Sequence, residues 1–254
     1  MRDGRRTEAT EPVTPIEIEL SRIGVDAKVH YRAGTSDERV LREVLFKSPY
    51  RRKRLNFDVE AGETWLDLGA NIGAFALYCR IREAAGVDCY EPDPGCFKLL
   101  EQNVREDRDS VFQVAVTASH DPLVPFWAAL SDTDHHRYTA YPMKRSPKHR
   151  SGMLPNVCGN FLLSEHYDGC KMDIEGSEGG LLDNGWIPRC EKFVVEYHLW
   201  RDPSMEHLRR RLEFLRSKFE TVSYPPEFDR MLASGDKEAT AFYDRLIFCK
   251  GWRA

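Results

Sequence analysis

Long apolar runs are missing from this chain: none approaches the roughly 18 residues of a membrane-spanning helix. The opening Met1-Arg2-Asp3-Gly4-Arg5-Arg6 has no apolar stretch of the kind a secretory signal carries. No two of the seven cysteines stand at Cys-x-x-Cys spacing, and their number is odd. A disulfide framework and a structural zinc site are therefore both disfavoured, and reduced thiols in the cytoplasm are expected. Strong net charge is missing too. A formal −4 does not demand nucleic acid or an anionic membrane as partner. Internal repeats and low-complexity tracts are absent, and nothing in the sequence bears on the oligomeric state.

What is present suits one domain. The chain has 254 residues, 41% of them hydrophobic, enough for one core with a small appended element. Residues 1–14 are polar and Pro-containing, so a disordered tail is expected. Ile16, Ile18 and Leu20 alternate with glutamates, and Val25, Ala27 and Val29 alternate after Gly24, which predicts a hairpin. Thr35-Ser36-Asp37-Glu38 has capping-box spacing and predicts a helix to about Phe46. Residues 15–60 thus form an N-terminal extension to a main domain at 61–254.

From Thr64 onward strands and helices alternate. Strands are predicted at 65–67, 87–90, 111–116, 169–174, 193–195 and 246–248. Helices are predicted at 74–82 and 94–104, from Ser177, and from Pro203 with Asp202 as cap. Such alternation implies an α/β fold, a mostly parallel sheet with helices on both faces. The stretch 119–165 breaks the pattern and reads as an insertion over the ligand crevice.

Asp67-Leu68-Gly69-Ala70-Asn71-Ile72-Gly73 lies between a predicted strand and helix. Glycines there let the backbone approach a ligand closely. Glu91 ends the next strand, where an acid can accept hydrogen bonds from both ribose hydroxyls. A dinucleotide site would want G-x-G-x-x-G, but Asn71 stands where its second glycine belongs, and an acid precedes the first. That charge disfavours phosphate and favours the cationic amino group of a methionine moiety. S-adenosylmethionine (SAM) is selected over NAD.

Asp67–Phe75, Tyr90-Glu91-Pro92-Asp93-Pro94, Lys171-Met172-Asp173-Ile174-Glu175-Gly176-Ser177-Glu178 and Val194-Val195-Glu196-Tyr197-His198 resemble the FkbM family of SAM-dependent methyltransferases in content, order and spacing. The resemblance covers about residues 30–250. It implies a class I Rossmann-like methyltransferase fold with a seven-stranded sheet, and O-methylation of a hydroxyl on a sugar, glycan or related small molecule. It implies that Asp67, Gly69, Ala70, Asn71 and Gly73 hold the methionine end, Glu91 the ribose, and Ala115 and Val116 the adenine.

Methyl transfer from SAM needs alignment and removal of the acceptor proton. Asp173 and Glu175 fall at one strand end, and Glu196 and His198 at the next. His198 has a near-neutral intrinsic pKa and Asp173 is the rival base. Each has a plainer reading: Glu175 as a turn acid, Glu178 as a helix N-terminal acid, Glu196 as a loop anchor, His198 as a packed histidine. No metal is required. Glu175, Glu178, Glu196 and His198 could alternatively hold Mg²⁺ or Mn²⁺. Arg51–Arg54 and Lys144–Arg150 are basic, with His135, His136, Arg137, Tyr138 and Tyr141 upstream of the second run. They keep two other readings open: an RNA ribose 2'-O-methyltransferase, with Lys171 and Asp173 as its lysine and acid, and solvated faces. A non-catalytic module that kept the fold is the third alternative.

Overall fold

The computed structural model describes residues 13–16, 29–104, 107–129, 149–199, 202–234 and 244–253. In chain order, β1 (Val13–Ile16) pairs antiparallel with β2 (Val29–Arg32). Helix α1 (Asp37–Arg42) runs on as a π-helical turn, Glu43–Lys47, and a 3-10 turn spans Lys53–Leu55. Then come β3 (Thr64–Leu68), α2 (Ala74–Ile81), β4 (Gly86–Tyr90) and α3 (Pro94–Asn103). Next are β5 (Ser110–Phe112), β6 (Ala115–Thr117), β7 (Leu123–Ala129) and β8 (His149–Cys158). β9 (His166–Met172), α4 (Glu178–Asp183), β10 (Arg189–His198) and α5 (Met205–Lys218) follow. β11 (Phe219–Ser223), α6 (Glu227–Ser234) and β12 (Asp244–Trp252) complete the chain.

Seven strands form one sheet in the order β5-β4-β3-β9-β10-β12-β11. Strands β5, β4, β3, β9 and β10 run parallel, and β12 lies antiparallel between β10 and β11. This is the mostly parallel, class I Rossmann-like sheet expected from the motifs. Alternation along the strands divides the core. Trp65, Cys89, Val194 and Phe248 face one cluster with α2, α3 and the N-terminal extension. Leu66, Leu68, Met172, Val195 and Ile247 face the other, where Leu208, Leu212 and Leu215 of α5 are fully buried. Burying such a leucine contributes about 1.5–3 kcal/mol.

Several boundaries differ from the sequence reading. Val13 and Thr14, assigned to a tail, belong to β1. The strand expected at 111–116 is two strands: β5 stays in the main sheet, while β6 leaves it to pair with β8. The 119–165 stretch is a β-hairpin of β7 and β8, joined through β8 to β6 in a small second sheet, and its residues 130–148 lie outside the described residues. Ser204, not Asp202, caps α5 by accepting from His207 N. Asp202 is drawn instead to Arg211 and His207. The capping box at Thr35 does not form: the N-cap is Ser36 with no side-chain cap bond, Thr35 Oγ1 accepts from Asp37 N, and Glu38 pairs with Arg42 on the outer face. Among the described residues no helix is long and apolar enough to cross a membrane.

Candidate functional site

The carboxyl ends of β3, β4, β9 and β10 open into one cavity of about 500 Å³. It lies beside β3 and β9, where the strand order reverses, as ligand crevices do in open α/β sheets. The size suits a small organic ligand. The N-terminal extension closes the cavity with Ser36, Arg39, Glu43 and Tyr50, and β8 adds Leu154.

The loop after β3 owes its shape to three left-handed residues, Gly69 (φ 81°), Asn71 (φ 52°) and Gly73 (φ 87°). Asparagine tolerates that region better than most side chains, and Asn71 Oδ1 accepts from Ile72 N at 2.7 Å. A Cβ on Gly69 would sit 1.8 Å from the Asp173 carbonyl oxygen, so no side chain fits there. Gly69 N and Ala70 N both donate to Tyr90 O, Asn71 N donates to Glu91 Oε2 at 2.8 Å, and Gly73 N donates to Ala70 O. Every one of these amides is committed inside the protein. A pyrophosphate cradle needs such groups aimed at the ligand. Committed amides, rather than the charge of Asp67, are what disfavour a dinucleotide.

Asp67 is withdrawn from the cavity. It is fully buried, and Lys171 Nζ donates to its Oδ1 at 2.8 Å and to Gly69 O at 3.0 Å. Lys171 lies across β3 and β9 in direct register with Asp67, beneath the Tyr50 ring. Burial would lower the lysine's pKa, but Asp67 and Asp173 hold it well above its ordinary value. The expected contact of Asp67 with a ligand amino group is therefore replaced by an internal ion pair that anchors the loop. Gly73 also stands off the cavity, packed against Leu100 of α3. Gly69, Ala70, Asn71, Glu91, Ala115 and Val116 do line it.

Glu91 is buried, and its two oxygens accept from Asn71 N and Asp93 N at 2.8 and 2.7 Å. Beyond these two bonds the carboxyl keeps hydrogen-bonding capacity for ligand hydroxyls. Burial pushes the carboxyl up to about 8.

The acidic block shares this cavity, with the Asp173 carbonyl packed against Gly69. Asp173, Glu175, Glu196 and His198 all line the cavity. His198 is buried, and its Nε2 lies 3.8 Å from Asp173 Oδ1 and 3.4 Å from Glu175 Oε2. Behind the ring, Glu178 Oε1 accepts from His198 N and meets Nδ1 at 2.8 Å, while its Oε2 accepts from Gly176 N. Burial favours neutral imidazole, but Glu178, then Glu175 and Asp173, raise the His198 pKa well above its ordinary value. That direction weighs against His198 as a resting general base. The carboxylates remain, with Asp173 foremost. Glu178 is a positioning residue, its pKa held down by His198 against the opposing effect of burial. Of the residues considered as metal ligands, Glu175 and His198 converge, joined by Asp173, with ligand atoms within 4.8 Å of one another. Glu178 and Glu196 are outside that group.

Ser36, Arg39, Glu43 and Tyr50 were not predicted from sequence as site residues. Their only signal was adjacency to the helix start and the Arg51–Arg54 run. The second basic run falls largely outside the described residues, as do His135, His136, Arg137, Tyr138 and Tyr141.

No protein-family model matches the chain, and no curated protein does. Among solved structures it is similar to a SAM-dependent O-methyltransferase from Thermotoga maritima, at 14% identity over 85% of this chain and 72% of that one, with TM-score 0.41. It is similar to fibrillarin from Aeropyrum pernix with natively bound S-adenosyl-L-methionine, at 14% identity over 75% and 67%, with TM-score 0.40. It is also similar to precorrin 8w decarboxylase from Methanobacterium thermoautotrophicum, at 14% identity over 65% and 68%, with TM-score 0.36. At such scores, the functional assignment rests on the chain's own geometry.

Proposed function

We propose that this chain is a SAM-dependent O-methyltransferase acting on a hydroxyl of a sugar, glycan or related small molecule, as its likeness to the FkbM motifs implies. One observation carries the reading. One cavity is lined both by Gly69–Asn71 with Glu91, suited to a nucleoside, and by Asp173, suited to accept a proton. SAM fits the residues present: Glu91 offers lone pairs for ribose hydroxyls, and the loop has no spare amides that would call for a phosphate. SAM, when bound, supplies an activated methyl group. The protein's part is then alignment and proton removal. Gly69, Ala70 and Asn71 receive the methionine end, and Ala115 and Val116 of β6 flank the base. Asp173 accepts the hydroxyl proton, and Glu196 helps orient the acceptor.

Calorimetry with SAM and a labelled-methyl transfer assay over glycans, nucleotide sugars and RNAs test this. Binding that Glu91→Ala abolishes is expected, and Asp173→Ala should lower turnover about 10²- to 10⁴-fold with SAM affinity retained. Absence of SAM binding in the folded wild type would sink the proposal.

A second reading, RNA ribose 2'-O-methylation, is favoured by one feature: the exposed Arg51–Arg54 run begins beside cavity-lining Tyr50. Against it, Lys171 is committed to Asp67 and Gly69 rather than available for catalysis. The same substrate panel separates the two.

A further inference from the structure

The acceptor end of the cavity is built more elaborately than proton removal needs. Glu178 fixes the His198 ring from behind through Nδ1 and leaves Nε2 toward the cavity. A carboxylate holding the far nitrogen of an imidazole is how proteins orient histidine toward a metal. Asp173 and Glu175 converge on the Nε2 side, and Glu175 reaches that position from a left-handed backbone (φ 53°). Asp173 Oδ1 is buried with no hydrogen-bond partner. Leaving a buried carboxylate oxygen so costs free energy unless something occupies the space in front of it. The nearby cavity-lining ammonium, Lys171, is already engaged by Asp67 and Gly69.

We propose that Asp173 Oδ1, Glu175 Oε2 and His198 Nε2 bind one divalent cation of the Mn²⁺ type at the acceptor end of the cavity, the ion displacing any proton on Nε2 to solvent as it binds. One imidazole with two carboxylates suits that ion better than a thiolate-seeking metal or an all-oxygen Ca²⁺ site. A cation about 2.1 Å from each of three ligand atoms holds them about 3.0–3.4 Å apart. The spacings from Nε2 are 3.4 and 3.8 Å and the three ligand atoms lie within 4.8 Å of one another, so the two carboxylates draw in on the ion as it binds. Three protein ligands leave positions open toward the cavity. The ion's role rests on the O-methyl-transfer reading: it takes the acceptor oxygen and lowers the hydroxyl's pKa, so that a nearby carboxylate oxygen removes the proton. Its binding does not depend on that reading.

The test is uptake of Mn²⁺ by the full chain after exhaustive chelation, followed by loss of the free-ion electron paramagnetic resonance signal. One ion per chain is expected. Glu175→Gln and Asp173→Asn should each weaken it at least about tenfold, and Glu178→Gln about 10- to 100-fold without removing a ligand. Thermal melting checks that each variant is folded, and Mn²⁺ should raise the melting temperature of the wild type but not of Glu175→Gln. No uptake by the folded wild type at millimolar Mn²⁺, or equal uptake by wild type and folded Glu175→Gln, overturns the site. SAM calorimetry run in parallel keeps the two proposals apart. SAM binding without Mn²⁺ uptake removes the cation and leaves the donor, whereas Mn²⁺ uptake without SAM binding supports the cation and removes the donor.

Discussion

Replacing Lys171 by methionine tests what holds the donor loop. The change keeps the side chain's length and removes its charge. Asp67 is then left fully buried, its Oδ2 already without a hydrogen-bond partner and its Oδ1 deprived of the only one it has here. Gly69 O loses its donor at the same time. Removing one member of a buried pair costs about 3–5 kcal/mol. For a chain of this size that corresponds to a fall in melting temperature of about 6–20 °C. The deficit should also depend on pH. Burial pushes the Asp67 carboxyl up, with Lys171 as the counterweight, so the variant's Asp67 has a raised folded-state pKa. Protonation relieves the cost at low pH, and the deficit grows as pH rises through that pKa. Urea unfolding of Lys171→Met, Asp67→Asn and the double variant measures the coupling. The double variant should recover most of the loss, since it leaves no buried charge. A deficit below about 1 kcal/mol, one flat in pH, or strict additivity would refute the buried ion pair as the anchor.

Three further outcomes follow from the geometry. Gly69→Ala should abolish SAM binding and destabilise the fold by several kcal/mol, because its Cβ meets the Asp173 carbonyl, whereas Gly62→Ala, with similar φ and open space, should cost only about 1–2 kcal/mol; equal losses in urea unfolding would discount the clash. Glu91 has a folded-state carboxyl raised to about 8, so its contribution to stability is full below the ordinary carboxyl range and is lost as pH rises through about 8. Glu91→Gln should flatten the melting-temperature profile over that window, and parallel profiles would show that Glu91 is not the titrating group. Nitrogen NMR of His198 in the chelated, metal-free wild type should show its titration raised above the ordinary imidazole range, with Glu178→Gln bringing it lower; a wild-type titration at or below that range would restore His198 as a base.

Much of the fold was legible because burial writes itself into periodicity. Leu208, Leu212 and Leu215 repeat at helical spacing, while β3 is a short, largely apolar segment and β4 alternates, each followed by turn residues. The split of 111–116 was not legible, since Val111 and Val116 look alike and only pairing with Asn156–Cys158 draws Ala115–Thr117 away from the main sheet. β11 was missed because Phe219 continues the apolar spacing of α5 yet begins a strand. At the site, spacing indicated which strand ends carry Glu91, Asp173 and His198, since position along a strand fixes the face. Ionisation was less accessible. Asp67 read as a ligand contact because its partner lies 104 residues away, and His198 read as a base because its three carboxylate neighbours meet only in three dimensions.

The missing side chain at position 69 has a further consequence. The turn after β3 and the turn after β9 touch backbone to backbone, with no compressible group between them. Packing this close transmits displacement rather than absorbing it. On the reading proposed above, any displacement of the Gly69 turn by a donor in the cavity is borne by the peptide that carries Asp173, so the donor loop and the acid cannot be repositioned independently.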